Sequence, residues 1–271
     1  MPVSAAERRF VLDNLTRLAE ADIAKMWRAA ELQTDLEFAA YVTQAFPDIV
    51  DPYHQMAAEF SATVFEEDFP AITSAAIVAA ALPEEQLVKS AQWALGGDGA
   101  AAIDRMVGTT QRAIYNGDRE TTTTNASKNG MRWVRVARPD ACEFCKLLSS
   151  RTVNGLTYSG SGVRQKLGID PDTGQPYADG IKTTVVYGRR RTESKQASGK
   201  EYHDNCHCVV RAIPVRTNAM EYLSATEPQF AELAQKFDDE YTALLKAAAN
   251  AGQQWDTKKL LSEWRKADKS P

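Results

Sequence analysis

The chain has 271 residues, 44 % of them hydrophobic and 25 % charged, the balance of an ordinary folded protein and not of a disordered or fibrous one. No apolar run reaches the roughly 18 residues a membrane-spanning helix needs; the longest, Ala75–Leu82, is short and alanine-rich, so no membrane partner is expected. The net charge of −4 conceals an asymmetry, with 16 acidic and 6 basic side chains in residues 1–100 against 20 and 26 in residues 101–271. An acidic half joined to a basic half reads either as two surfaces with different partners or as the decoration of solvated helices. The opening Met1-Pro-Val-Ser-Ala-Ala-Glu-Arg-Arg9 lacks an apolar signal core, which points to folding in a reducing cytosol.

Helices dominate the first part. Ser4-Ala-Ala-Glu7 has the form of a capping box, in which hydroxyl and carboxylate satisfy first-turn amides reciprocally. It opens a stripe of Val11, Leu12, Leu15, Leu18, Ile23, Met26 and Trp27 at helical spacing. Thr34-Asp-Leu-Glu37 repeats the box ahead of Phe38, Tyr41 and Val42, and Asp51-Pro52 predicts the start of a third helix through His54, Phe60 and Val64. A further helix is expected from Leu82-Pro83 to Gly96-Gly97, and another from Asp98 to about Asn116, stopped by Gly117. His54 stands alone and reads as a packing or surface histidine.

After Gly117 the composition changes. Thr121–Thr124, Asn125 and Ser127 disfavour a strong helix, and Asn129-Gly130 signals a turn. Met131–Ala137 predicts a strand, Cys145–Leu148 the start of a short helix, and Leu156–Tyr158 a brief strand. Residues 159–200 read as an extended loop with a weak strand near Thr183–Tyr187, and Cys208–Val215 as a strand. A C-terminal helix from Glu227-Pro228 carries Phe230, Leu233, Phe237, Tyr241, Leu244 and Leu245 on one face; a shorter one after Gly252 holds Trp255, Leu260, Leu261 and Trp264. The expected fold class is mainly α with a small central α+β unit: an N-terminal helical domain (1–117), a metal-binding unit with a long basic loop (118–216) and a C-terminal helical segment (217–271).

All four cysteines fall into two tight groups, Cys142-Glu-Phe-Cys145 and His203-Asp-Asn-Cys206-His207-Cys208. A C-x-x-C turn aims two sulfurs at one spot, and in C-x-C on an extended segment residues i and i+2 share a face, so together they can close a tetrahedral site. The 61-residue separation of Cys145 from Cys206 suits a treble-clef-like site with an inserted loop. This inventory points to a structural zinc ion held by Cys142, Cys145 and Cys208, with Cys206 or His203 as fourth ligand and His207 turned to solvent. Disulfides conflict with the absence of a signal core. A thioredoxin-like C-x-x-C leaves the second pair without a purpose, and nothing marks either group as holding a nucleophile.

Within the loop, residues 182–200 gather Lys182, Arg189, Arg190, Arg191, Lys195 and Lys200 against Glu193 alone. Such a patch can neutralise phosphates, with Tyr187 as a stacking face, or can simply be a solvated loop. No G-x-S-x-G, Walker, G-x-G-x-x-G or H-E-x-x-H signature occurs. A Ser-His protease would have to recruit His54, with Gly160-Ser161-Gly162 as a poor elbow. A His-Asn-His nuclease would have to use His203, Asn205 and His207, which alternate on one segment instead of spanning a strand and a helix.

A C-x-x-C after a strand, a loop of tens of residues, and H-x-x-C-x-C running into Val209-Val210 resembles the phage head-morphogenesis family of the Mu F type. Val136–Ser150 is similar to versions of that family in tailed phages of actinobacteria; Asp204, where the family usually has proline, and the long loop depart from it. The specific likeness covers about residues 130–215. It implies a minor capsid protein acting in prohead assembly near the portal, located in the virion. Its implied partners are the portal protein, scaffold and major capsid protein, and the basic loop adds packaged double-stranded DNA. Genes at that position are often called capsid maturation proteases, so proteolysis stands as the alternative function, with a metal-dependent nuclease after it.

Overall fold

The computed structural model describes residues 3–97, 99–153, 155–158, 164–166, 168–169, 176–177, 206–252 and 257–268. The fold is mainly α with a small α+β unit, as the sequence implied. It divides into two compact units, Met1–Asn125 with Tyr202–Val209, and Ala126–Glu201 with Val210–Pro271.

In the first unit, α1 (Ala5–Ala30) begins with the anticipated capping box: Glu7 N donates to Ser4 Oγ at 3.2 Å and Ser4 N to Glu7 Oε2 at 2.8 Å. Its buried stripe is Leu12, Thr16, Ala19, Ile23, Met26, Trp27 and Ala30. Leu18, expected inside, is 53 % exposed, because the i+3/i+4 ladder from Leu12 passes through Thr16 and Ala19 and leaves position 18 outside it.

The expected break at Asp51-Pro52 does not occur. Helix α2 runs unbroken from Asp35 to Asp68 with Pro47 and Pro52 inside it. An internal proline costs about 3 kcal/mol. The offset is a continuous inward face, Val42, Phe46, Val50, Ala57, Ala58, Val64 and Phe65, that no helix ending at residue 50 would bury. Helix α3 (Glu84–Leu95) lies between Pro83 and Gly96 as expected. Its Leu87, Ala91 and Ala94 join a core with Trp27 and Ile23 of α1, Phe46 and Val50 of α2, and Met106 and Ala113 of α4.

Helix α4 (Ala100–Lys128) corrects the reading most. Gly117 does not stop it. A Cβ there would meet the His54 carbonyl oxygen at 2.4 Å, so glycine serves a close helix–helix approach. Of the threonines beyond it, Thr121, Thr122 and Thr123 are buried and bonded. Asn125 accepts from Ile77 N (2.8 Å) and donates to Ile77 O (2.7 Å), and Thr121 Oγ1 accepts from Ala79 N (3.0 Å). From α2, His54 meets Ala80 O (3.1 Å) through Nε2 and Ala113 O (2.9 Å) through Nδ1, while Asp51 accepts from Leu82 N (3.0 Å). Arg8 donates to Asp118 (2.5 Å) and Thr122 (2.8 Å), all three buried.

In the second unit, β1 (Arg132–Val136), β2 (Leu156–Tyr158), β3 (Arg164–Lys166) and β6 (Val209–Ile213) form one sheet in the order β3-β2-β1-β6. Strands β4 (Gly168–Ile169) and β5 (Pro176–Tyr177) pair separately. Trp133 of β1 stands opposite Tyr158 of β2, with ring centroids 4.7 Å apart and stacked. Helix α5 (Glu143–Ser150) packs on α7 (Pro228–Asn250) and α8 (Thr257–Asp268). Lys146 pairs with Asp268 (2.7 Å) and sits 5.5 Å and 6.0 Å from the Phe237 and Trp264 ring centroids. Helix α6 (Ala219–Thr226), not anticipated, is capped by the Asn218 side chain. On α7, Phe230 and Phe237 are buried as expected, but Leu245 is 42 % exposed, and alanines 231, 234 and 248 complete the inner face. The expected strand at Thr183–Tyr187 lies outside the described residues.

Two outcomes follow from this packing. Gly117→Ala should destabilise the protein by about 1–3 kcal/mol through overpacking, although alanine is the better helix former; a urea midpoint unchanged or raised would remove the close-approach argument. Asp22 is hydrogen-bonded by Lys25 and by Tyr53 (2.7 Å), which hold its carboxyl below the usual carboxylate range. Burial, then Asp22 itself, pushes the Tyr53 hydroxyl up to about 12. A depressed carboxylate contributes stability above its unfolded pKa of about 3.9 and loses it as pH falls through the lower folded value. Asp22→Asn should therefore lower stability at pH 7, with the gap to the parent closing on acidification below about pH 4; a gap that is independent of pH contradicts this.

Candidate metal centre

The Sγ atoms of Cys145, Cys206 and Cys208 all lie within 4.8 Å of one another, and each of these cysteines is 2 % exposed. Tetrahedral metal–thiolate bonds of about 2.3 Å place sulfurs about 3.8 Å apart, so small side-chain adjustments bring this trio onto one ion. Three buried sulfurs suit a soft, thiophilic cation better than a hard one that prefers oxygen. No disulfide joins the four cysteines, all of which are described.

Local structure explains the placement of each sulfur. Cys142 is the N-cap of α5 and half-buried; Cys145, three residues on, lies on the first turn of that helix and is buried. The grouped sulfurs do not include that of Cys142. Glu143, between them, accepts from Arg265 Nε and Nη2 in a two-point ion pair of 2.7 and 3.2 Å. Burial raises the Glu143 pKa, but the Arg265 hydrogen bonds, its own backbone amide and the charges of Arg265 and Lys146 together lower it below the usual carboxylate range. Cys206 and Cys208 precede β6 directly.

The C-x-C segment is gripped by one face of α4. Gln111, Tyr115 and Arg119 succeed one another at i, i+4 and i+8. Gln111 Nε2 donates to Cys206 O (3.0 Å), Arg119 Nη2 to Cys206 O (2.5 Å) and Arg119 Nε to Cys208 O (2.9 Å). Between the two cysteines, His207 Nδ1 lies 2.8 Å from Asp13 Oδ1, and Tyr115 donates to the same carboxylate oxygen at 2.6 Å. Burial, then Asp13, pushes the Tyr115 hydroxyl far up. His207 was expected to face solvent; it is instead latched at Nδ1, because position 207 faces α1 and α4 when the flanking carbonyls face Arg119.

Sequence reasoning missed Asp13, Gln111, Tyr115 and Arg119. For the three on α4 the signal was their four-residue spacing, which the reading of Gly117 as a helix stop cut off before Arg119. The structure brings together Cys145, Cys206 and Cys208 of the five proposed ligands. His203 lies outside the described residues, as do Lys182, Arg189, Arg190, Arg191, Lys195 and Lys200 of the proposed nucleic-acid loop. His54 is a fully buried packing residue with both ring nitrogens on backbone carbonyls.

The sulfur trio predicts that the reduced protein takes up Cd2+ with a thiolate-to-metal absorption band. Replacing Cys145, Cys206 and Cys208 together with serine should abolish the band, and its persistence in that variant would place the metal elsewhere.

No helix among the described residues is long and apolar enough to cross a membrane. No curated protein and no solved structure matches the chain. The family model described as VG15 protein matches residues 2–165, which span α1 to β3 and include Asp13, Gln111, Tyr115, Arg119 and the first cysteine pair. With more than half its length matched, the chain belongs to the VG15 protein family and is a phage protein.

Proposed function

We propose that this phage protein is a minor capsid protein of the Mu F head-morphogenesis type, acting in prohead assembly near the portal, and that its thiolate cluster holds a structural zinc ion. The observation that carries this reading is the convergence of Cys145 with Cys206 and Cys208. The two halves of the motif that suggested the family are separated by 61 residues, yet their sulfurs meet. Zinc fits because it is redox-inert and favours closed tetrahedral thiolate sites, and Cys142 or His203 is available in sequence as the fourth ligand. In this reading the ion is structural and stabilises a small sheet of short strands.

Portal, scaffold and major capsid protein are the partners in this proposal, with the virion as location. The basic run Arg189–Arg191 is, in this proposal, a contact for packaged DNA. A maturation protease finds no support at His54, whose ring nitrogens both face backbone carbonyls in the interior. A nuclease using His207 finds little either, since Nδ1 of that ring is engaged by Asp13.

The test is protein identification by mass spectrometry on purified proheads and mature particles of the phage, alongside an amber mutant of the gene. The protein should be present in proheads at low copy and be recovered with cross-linked portal, and the mutant should yield few DNA-filled heads. Absence from both particle types, with normal heads in the mutant, would refute the reading.

A further inference from the structure

Arg119 is 2 % exposed, yet it carries a permanent charge into the interior, where burying a guanidinium costs several kcal/mol unless its donors are met. One edge of its fork, Nε and Nη2, donates to the carbonyls of Cys208 and Cys206, at 2.9 and 2.5 Å. Nη1 reaches Asn116 Oδ1 at 3.2 Å, and Cζ lies 5.1 Å from the Tyr115 ring centroid. Gln111 adds a second donor to Cys206 O at 3.0 Å. In a fully extended strand the carbonyls of residues i and i+2 stand about 6.6 Å apart along one edge. A single guanidinium edge that donates to both draws them together and curls the backbone between. The side chains of residues 206 and 208 leave that backbone on one side, so the curl also sets the separation of their sulfurs.

We propose that Arg119, assisted by Gln111, is the positioning residue of the metal centre: it fixes the Cys206–Cys208 turn in the curvature that presents both sulfurs to one ion. Lysine cannot take its place, because a point donor does not span two carbonyls in a fixed plane. The Asp13–Tyr115 latch on His207 holds the same turn from its other side. The outer shell of the thiolate site is thus built from α1 and α4, far away in sequence from the cysteines it serves.

This inference rests on the metal reading above, and the experiment separates the two. Zinc affinity of the full chain is measured by competition with a chromophoric chelator, and site geometry by the visible spectrum of the Co2+ form. Arg119→Lys and Arg119→Gln should each weaken zinc binding by about 10- to 100-fold, the usual effect of losing an outer-shell partner, and should alter the tetrahedral Co2+ bands. A residue needed only for folding would lower the melting temperature without moving that spectrum. Folded variants with parental affinity and an unchanged Co2+ spectrum overturn the proposal. Should both variants fail to fold, hydrogen exchange on the unaltered chain decides: zinc should slow the amides of α4 around Gln111–Arg119, and identical exchange with and without zinc overturns the proposal. If the unaltered chain takes up no zinc at all, the metal reading falls and this inference falls with it.

Discussion

Buried polar groups must find partners inside the protein, and in the first unit that requirement is concentrated on α4. From Gln111 to Asn125 it directs polar side chains to three different places. Asp118 and Thr122 receive Arg8 from α1. Thr121 and Asn125 hold the backbone of residues 77–79. Gln111 and Arg119 hold the carbonyls of the C-x-C segment. Gly117 makes this possible by letting the helix lie close against His54 of α2. These contacts cannot be traded for water one at a time, since each leaves a stranded donor or charge. A helix with this composition would be weak in isolation; here its threonines and asparagine are the points of attachment.

Much of the architecture was legible because local chemistry and global fold agree. The boxes at Ser4–Glu7 and Thr34–Glu37 mark true helix starts. Pro83 and Gly96 bracket α3, and the β-rich run after Asn129-Gly130 is β1. The misreadings share one cause: a residue with a strong local meaning was overruled by what it touches. Proline at 52 and glycine at 117 read as breaks, but the apolar face of α2 and the approach of α2 to α4 favoured continuous helices. Leu18 and Leu245 read as core by hydrophobicity, whereas alanines and a threonine occupy the geometrically inward positions. Helix α6 was passed over although Asn218 is a good cap, because no long apolar stripe follows it.

The site was half legible. Cysteine spacing alone predicted that the two groups converge, and three sulfurs do. What spacing does not reveal is the support around them. Asp13, Tyr115 and Arg119 look like ordinary surface-helix residues until the chain folds, and only then does the i, i+4, i+8 row on α4 meet the C-x-C backbone. The family match stops at residue 165, ahead of the second cysteine group. Within that matched region stand both the first cysteine pair and the α1 and α4 residues that await the second.

The later part of the stretch that joins α2 to α3 is fastened by side chains, with anchors on Ala76, Ile77, Ala79, Ala80 and Leu82. Such fastening makes chain length matter unevenly. Adding or deleting one residue between Ile77 and Leu82 would put every later anchor out of step with its partner on α2 or α4. The same change between Phe69 and Ser74 could be absorbed as slack, so length variation among descendants of this gene should accumulate there and spare the six residues that follow Ala76.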